Sequence, residues 1–234
     1  MIQFNHAEPL FRLKQPDVTV QDRCGLLRVH LIVGNTTLFK SYYTRLDQSY
    51  MAWGVALSVI FATAQYSPLA WTTQAVVWSV LSLGVTSFMV ALTWYWSYVE
   101  EISWLVWTWV GLMVVGLMIT DYGVFTHWSF IMGHLCLLWL GISSIGYWIT
   151  GWGLKSRAFL LMGLVHGLSC FALPYVLSWQ FLFTGLTMAI SLFALGEYQW
   201  DIRLPIEYKR LSLEEQQYNR ELHQRSQNFA LQED

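Results

Sequence analysis

The sequence predicts an all-α integral membrane protein: a six-transmembrane-helix bundle with a short cytoplasmic N-terminal β-hairpin and a polar C-terminal helical tail. Three observations lead there. Of 234 residues, 55% are hydrophobic and only 12% charged, a balance too poor in charge for a soluble domain of this length. Apolar stretches recur at 50–66, 73–95, 102–120, 128–149, 158–177 and 179–196, each close to the roughly 20 residues that cross ~30 Å of hydrocarbon. The charges, which played no part in drawing those boundaries, fall in register with them.

If both termini share one face, the same-side segments are 1–49, 96–101, 150–157 and 197–234. They carry all 13 lysines and arginines of the chain, from Arg12 to Arg225, and the opposite turns carry none. The positive-inside bias therefore places both ends in the cytoplasm or its topological equivalent.

The N-terminal segment, 1–49, includes "RVHLIVGNTTLFK", in which two β-branched and aromatic runs flank Gly34-Asn35, a two-residue hairpin signal. It has neither the basic start nor the apolar core of a cleaved leader. Turn or boundary chemistry separates the spans of the membrane domain, 50–196: Pro68, Glu100-Glu101, Asp121, Gly151 with Gly153, and Pro174. Trp53, Trp94, Trp96, Trp104, Trp148, Trp152 and Trp200 fall near the inner interface, and Trp71, Trp128 and Trp179 near the outer one, whereas Trp78, Trp109 and Trp139 lie deeper, as packing residues. The tail, 197–234, contains Ser212 and Glu215 in capping-box spacing at the head of one solvated helix.

No span carries a fixed charge near its centre: Glu100, Glu101, Asp121, Lys155 and Arg157 all fall at turns. Ion-coupled carriers and intramembrane acid-base enzymes need such groups, and no hydrolase, nucleotide or metalloprotease motif is present. Glu100 and Glu101 read as helix-end residues that complement the dipole of the following helix. Asp121 and His127 read as solvated loop residues. Cys24, Cys136 and Cys170 show no paired spacing, so no disulfide framework is expected.

The remaining polar signals lie within the spans. His127, His134, Gly141 and Trp148 recur every seven residues, and Gly163, His166, Gly167, Cys170 and Pro174 form a second stripe. Both stripes are expected to face protein, with Gly141, Gly163 and Gly167 as close helix contacts. An antiparallel hairpin turning near Gly153 sets His166 opposite Gly141 and His134 opposite Ala172, with the imidazoles ~9 Å apart along the axis at 1.5 Å per residue. The histidines then act as neutral, hydrogen-bonding pins. A sharper alternative makes His134 or His166 an axial ligand of haem or chlorophyll facing another span, or His166 with Cys170, at i and i+4, a metal pair. Gln74, Ser79, Ser82, Thr86 and Ser87 offer a mild polar lining for a transporter of a neutral or hydrophobic solute. The reading that follows from these exclusions is a non-enzymatic scaffold, assembly factor or accessory subunit, with the lipid bilayer and other membrane proteins as partners and no nucleic acid.

Overall fold

The computed structural model describes residues 4–5, 9–14, 18–33, 36–202 and 210–233. It is mostly helical (78%), and five of its helices are long and apolar enough to cross a membrane.

The chain begins with a two-residue strand β1 (Phe11–Arg12) and one helical turn, α1 (Val20–Arg23). β2 (Leu27–Val33) and β3 (Thr36–Tyr43) follow, antiparallel from Leu27↔Tyr43 to Val33↔Thr36, with a register shift between Leu31 and Ile32. The expected turn residues, 34–35, lie outside the described residues. α2 (Arg45–Tyr66) is started by a capping box: Asp47 N–H donates to the Thr44 hydroxyl, and Thr44 N–H donates to the Asp47 carboxylate. This satisfies two of the backbone donors that every helix start leaves open. The Asp47 carboxylate also takes the Lys14 ammonium at 2.7 Å, both side chains being nearly buried.

α3 (Trp71–Val99), α4 (Ser103–Phe125), a single turn α5 (Ser129–Gly133), α6 (Leu135–Leu154), α7 (Arg157–Ala172) and α8 (Gln180–Glu197) complete the bundle. β4 (Gln199–Trp200) pairs antiparallel with β1, and α9 (Leu213–Glu233) ends the chain. The candidate crossings are α3, α4, α6, the run 157–175 and the run 177–197. α2 lies outside that set, since polar Asp47, Gln48 and Gln65 occupy its two ends.

Two expected boundaries shift. The stretch expected as one span over 128–149 is interrupted at His134, whose N–H closes a tight turn on the Ile131 carbonyl, and the helix then runs on to Leu154. Around Pro174, which has no N–H to give, α7 and α8 are joined by two 3-10 turns, Leu173–Tyr175 and Leu177–Trp179. Glu101, His127 and Lys155 follow α3, α4 and α6 with φ near +55° (57, 53 and 54), the left-handed C-terminal position that glycine more often fills.

α2, α3, α4, α6 and α8 pack in sequence as a ring, each against the next and α8 back on α2, while α7 lies outside against α6 and α8. Glycines set two of these contacts. A Cβ at Gly54 would fall 2.6 Å from Phe193 and one at Gly185 2.5 Å from Phe61, so α2 and α8 each seat an aromatic ring on the other's glycine. α4 and α6 do the same with Trp139 over Gly116 and Trp109 over Gly146, at 2.9 and 2.5 Å. Without a hydrophobic drive between helices in hydrocarbon, such fits supply the attraction. α3 turns small polar residues inward, Ser82, Thr86, Thr93 and Ser97, and presents Val76, Val77, Val80 and Phe88 outward, the reverse of a soluble helix.

Candidate functional site

The helix ring encloses a cavity of about 120 Å³. Each ring helix contributes to it at the end nearer the chain termini. α2 brings Ser49, Tyr50 and Trp53, α3 brings Thr86, Thr93 and Trp96, and α4 brings Leu105 and Trp109. α6 adds Trp139, Ser143, Tyr147 and Thr150, and α8 adds Met188 and Leu192, while Phe159 of α7 reaches in behind them. The spacing of these residues is helical on every element, which is why each helix can bury them on one stripe. Two aromatic-on-glycine contacts fix the α4–α6 wall, and the Trp109 indole N–H donates to the Thr150 hydroxyl at 2.9 Å. Among the described residues the lining holds hydroxyls, indoles, thioethers and hydrocarbon, with no carboxylate, amine, amide or imidazole. Such a site offers shape, dispersion and single hydrogen bonds, and no ionic partner.

The predicted site residues separate. His166 is fully buried; its Nδ1 lies 2.8 Å from the Met162 carbonyl, to which it must donate, and its Nε2 has no hydrogen-bond partner. Its ring rests against Tyr147 at 4.9 Å between centroids, so it touches the cavity wall from behind without lining the cavity. His134, by contrast, is exposed at the break between α5 and α6, stacked on Phe130.

The stripe of His127, His134, Gly141 and Trp148 divides: both histidines are exposed and a Cβ at Gly141 would meet nothing within 4 Å, while Trp148 lies half-covered against Gly163 of α7. The break at His134 turns the chain between the two halves of that stripe. The α7 part of the second stripe faces inward: a Cβ at Gly163 would collide with the Trp148 indole and one at Gly167 would lie 3.2 Å from the Ser144 hydroxyl, while Pro174, past the end of α7, is exposed. Ser144 donates to the Gly163 carbonyl at 2.7 Å. The register accordingly sets His166 beside Tyr147, not Gly141, because the turn falls at Lys155 and not at Gly153. The Cys170 thiol donates to the His166 carbonyl at 3.4 Å. Among the described residues no three His, Cys, Asp or Glu side chains gather into a metal-binding group.

Of the polar row on α3, Thr86 reaches the cavity, Ser79 donates to both oxygens of Asp121 at 3.0 and 2.9 Å, and Ser87 points outward. Asp121 therefore lies within α4 and is bonded to α3, rather than in a solvated loop, and His127 is the exposed left-handed residue beyond it. Trp53 and Trp96 line the cavity wall. Tyr50, Tyr147 and Ser143 were not distinguishable from the sequence as a set. Their signal, a hydroxyl inside an apolar run, is shared by many packing residues.

A polar layer covers the end of the bundle next to the cavity. Glu100 is buried and accepts from Gln21 of α1, whose carbonyl accepts from Asn219 of α9; Asn219 in turn accepts from Val20 N–H. Glu101 is exposed, with Arg210 3.7 Å away. Burial pushes the Asp22 carboxyl up to about 7, nearby Glu100 and Asp47 adding to the effect and the Thr19 hydroxyl opposing it. Burial and a hydrogen bond to Glu197 raise Tyr43 to about 12.

Fold and cavity together define a helical protein with several membrane-length helices around a neutral internal chamber. Compared with protein families, curated proteins and solved structures, the chain matches none.

Proposed function

We propose that this is a six-span membrane protein, with α2 as the first crossing and both termini cytoplasmic, which binds a small, neutral, largely apolar molecule within its helix ring. The cavity carries this reading: about 120 Å³ of space, walled mainly by aromatic, thioether and aliphatic side chains with a few hydroxyls, has the concave, mostly apolar character of a small-molecule site. Pairing of β1 with β4 holds the two ends of the chain together, which supports an even number of crossings. The one-sided distribution of lysine and arginine supports the orientation. The neutral lining fits a carrier or receptor that does not couple to ions.

Fluorobenzene added to the purified protein in detergent is expected to give a bound ¹⁹F resonance. Ser143→Leu and Thr86→Leu, which fill the chamber, are expected to remove it. A resonance indifferent to both substitutions would place the probe elsewhere and defeat the reading.

A second reading, a scaffold or accessory subunit of a membrane complex, is favoured by the β2–β3 hairpin. Leu27 and Ile32 are exposed on it, and both strand edges are unpaired among the described residues, an arrangement that recruits partners. Deleting residues 27–43 should then shrink the native complex extracted from membranes without touching fluorobenzene binding. An unchanged complex size would remove this reading.

A further inference from the structure

The cavity has an imbalance of hydrogen-bonding groups. Tyr50 of α2 and Tyr147 of α6 both line it and both lean on the ring of Phe159, at 6.3 and 6.1 Å between centroids. Neither phenol hydroxyl has a hydrogen-bond partner among the described residues, and neither is sealed within the wall. The threonines of the wall are different. Thr86, Thr93 and Thr150 each donate to a carbonyl one turn back on their own helix.

The indoles of Trp53, Trp96 and Trp139 also line the chamber with no hydrogen-bond partner among the described residues. An indole N–H can only donate. The chamber is thus rich in donors that lack an acceptor, and the acceptors it offers a ligand are hydroxyl oxygens alone. These O–H and N–H groups line the open space of the chamber, where an acceptor atom on a bound molecule can meet them.

We propose that the natural ligand is a ketone or quinone, a hydrocarbon body with a carbonyl oxygen that accepts from the Tyr50 and Tyr147 hydroxyls. The proposal rests on the reading of the chamber as a binding site for a neutral molecule and narrows it to one chemical class. The two tyrosines sit on different ring helices, so a carbonyl held between them also bridges α2 and α6. Phe159 behind them supplies a flat apolar face against which a conjugated ring stacks.

The test compares two probes of nearly equal shape, 4-fluoroacetophenone and 1-ethyl-4-fluorobenzene, by ¹⁹F NMR on the full-length protein, referenced to protein-free micelles of the same detergent. The ketone is expected to bind about five- to tenfold tighter, the effect of one net hydrogen bond. The Tyr50→Phe/Tyr147→Phe double variant is expected to erase that preference while keeping its affinity for the ethyl compound, which also shows that it is folded. Equal affinities in the unmodified protein, or a ketone preference that survives the double variant, would overturn the proposal and leave the binding site standing. Failure of both probes to bind the unmodified protein would remove the binding site and the proposal together.

Discussion

The carboxylate of Asp201 performs, from a distance, the task a local Ser or Asp performs at most helix starts. It accepts the N–H groups of Arg157 and Ala158, the Ser156 hydroxyl and the Arg157 Nε, all between 2.9 and 3.0 Å. Four donors converge on one buried anion at the positive end of α7, which the helix dipole favours. Asp201→Asn keeps the shape but removes the anion on which these four donors converge, and is expected to cost about 3 kcal/mol of stability, read as a lowered midpoint of thermal unfolding in detergent. A change below about 0.5 kcal/mol would mean that the pair is worth no more than an exposed one. Nothing in the sequence marks this bond, because 43 residues separate donor Ala158 from acceptor Asp201. His166 could be singled out from the sequence, since an imidazole in an apolar run is conspicuous. Its bond to Met162 and its place behind Tyr147 depend on the turn at Lys155, two residues from where glycine alone would put it.

At the scale of elements, the helices were legible and their contacts only partly so. Length and hydropathy are properties of a segment, and they gave α3, α4 and α8 to within five residues at either end, while the break at His134 displaced α6. Which glycine meets which ring is a property of two segments, so Gly54, Gly116, Gly146 and Gly185 carry no local signature, while Gly141, in a regular heptad, points to open space. The α4–α6 contact is the more consequential one for the chamber, since Trp109 and Trp139 both sit in its wall and on the opposing glycine. Gly146→Ala puts a methyl group 2.5 Å from the Trp109 ring and is expected to cost about 1–3 kcal/mol, with loss of probe binding as the indole swings into the cavity. In a Trp109→Phe background the same substitution should cost at least about 0.5 kcal/mol less. Additive effects of the two changes would show that the indole does not rest on that glycine.

Across the whole molecule, two ends of one chain converge on one end of the bundle. β1 pairs β4, α1 meets α9 through Gln21 and Asn219, and Arg210 bonds the Tyr98 carbonyl beside the α3–α4 turn. This layer includes a carboxyl held at about 7, against about 4 in an unfolded chain. Between those values the unfolded state releases a proton that the folded state keeps. Stability is therefore expected to be greatest below about pH 4 as far as Asp22 is concerned, and to fall as the pH rises toward 7. Asp22→Asn should flatten unfolding midpoints over that window, and a profile as steep as that of the parent protein would assign the slope to another group.

The same convergence has a consequence for topology. The proposed even number of crossings puts the β1–β4 and α1–α9 contacts on one side of the bilayer, whereas an odd number would require them to reach across ~30 Å. Cys24 is exposed on the terminal layer, and the opposite end of the bundle presents Tyr175, 89% exposed. In a Cys170→Ala background, a membrane-impermeant maleimide applied to intact cells is expected to modify the Tyr175→Cys variant and to spare both Cys24 and the Leu213→Cys variant until the membrane is opened. Labelling of Cys24 and the Leu213→Cys variant from opposite sides would break the six-span arrangement, because no even bundle separates its ends. Labelling of both from outside, with Tyr175→Cys protected, would keep the count and invert the orientation, and the positive-inside argument would then fail while the ring and its chamber stayed as described.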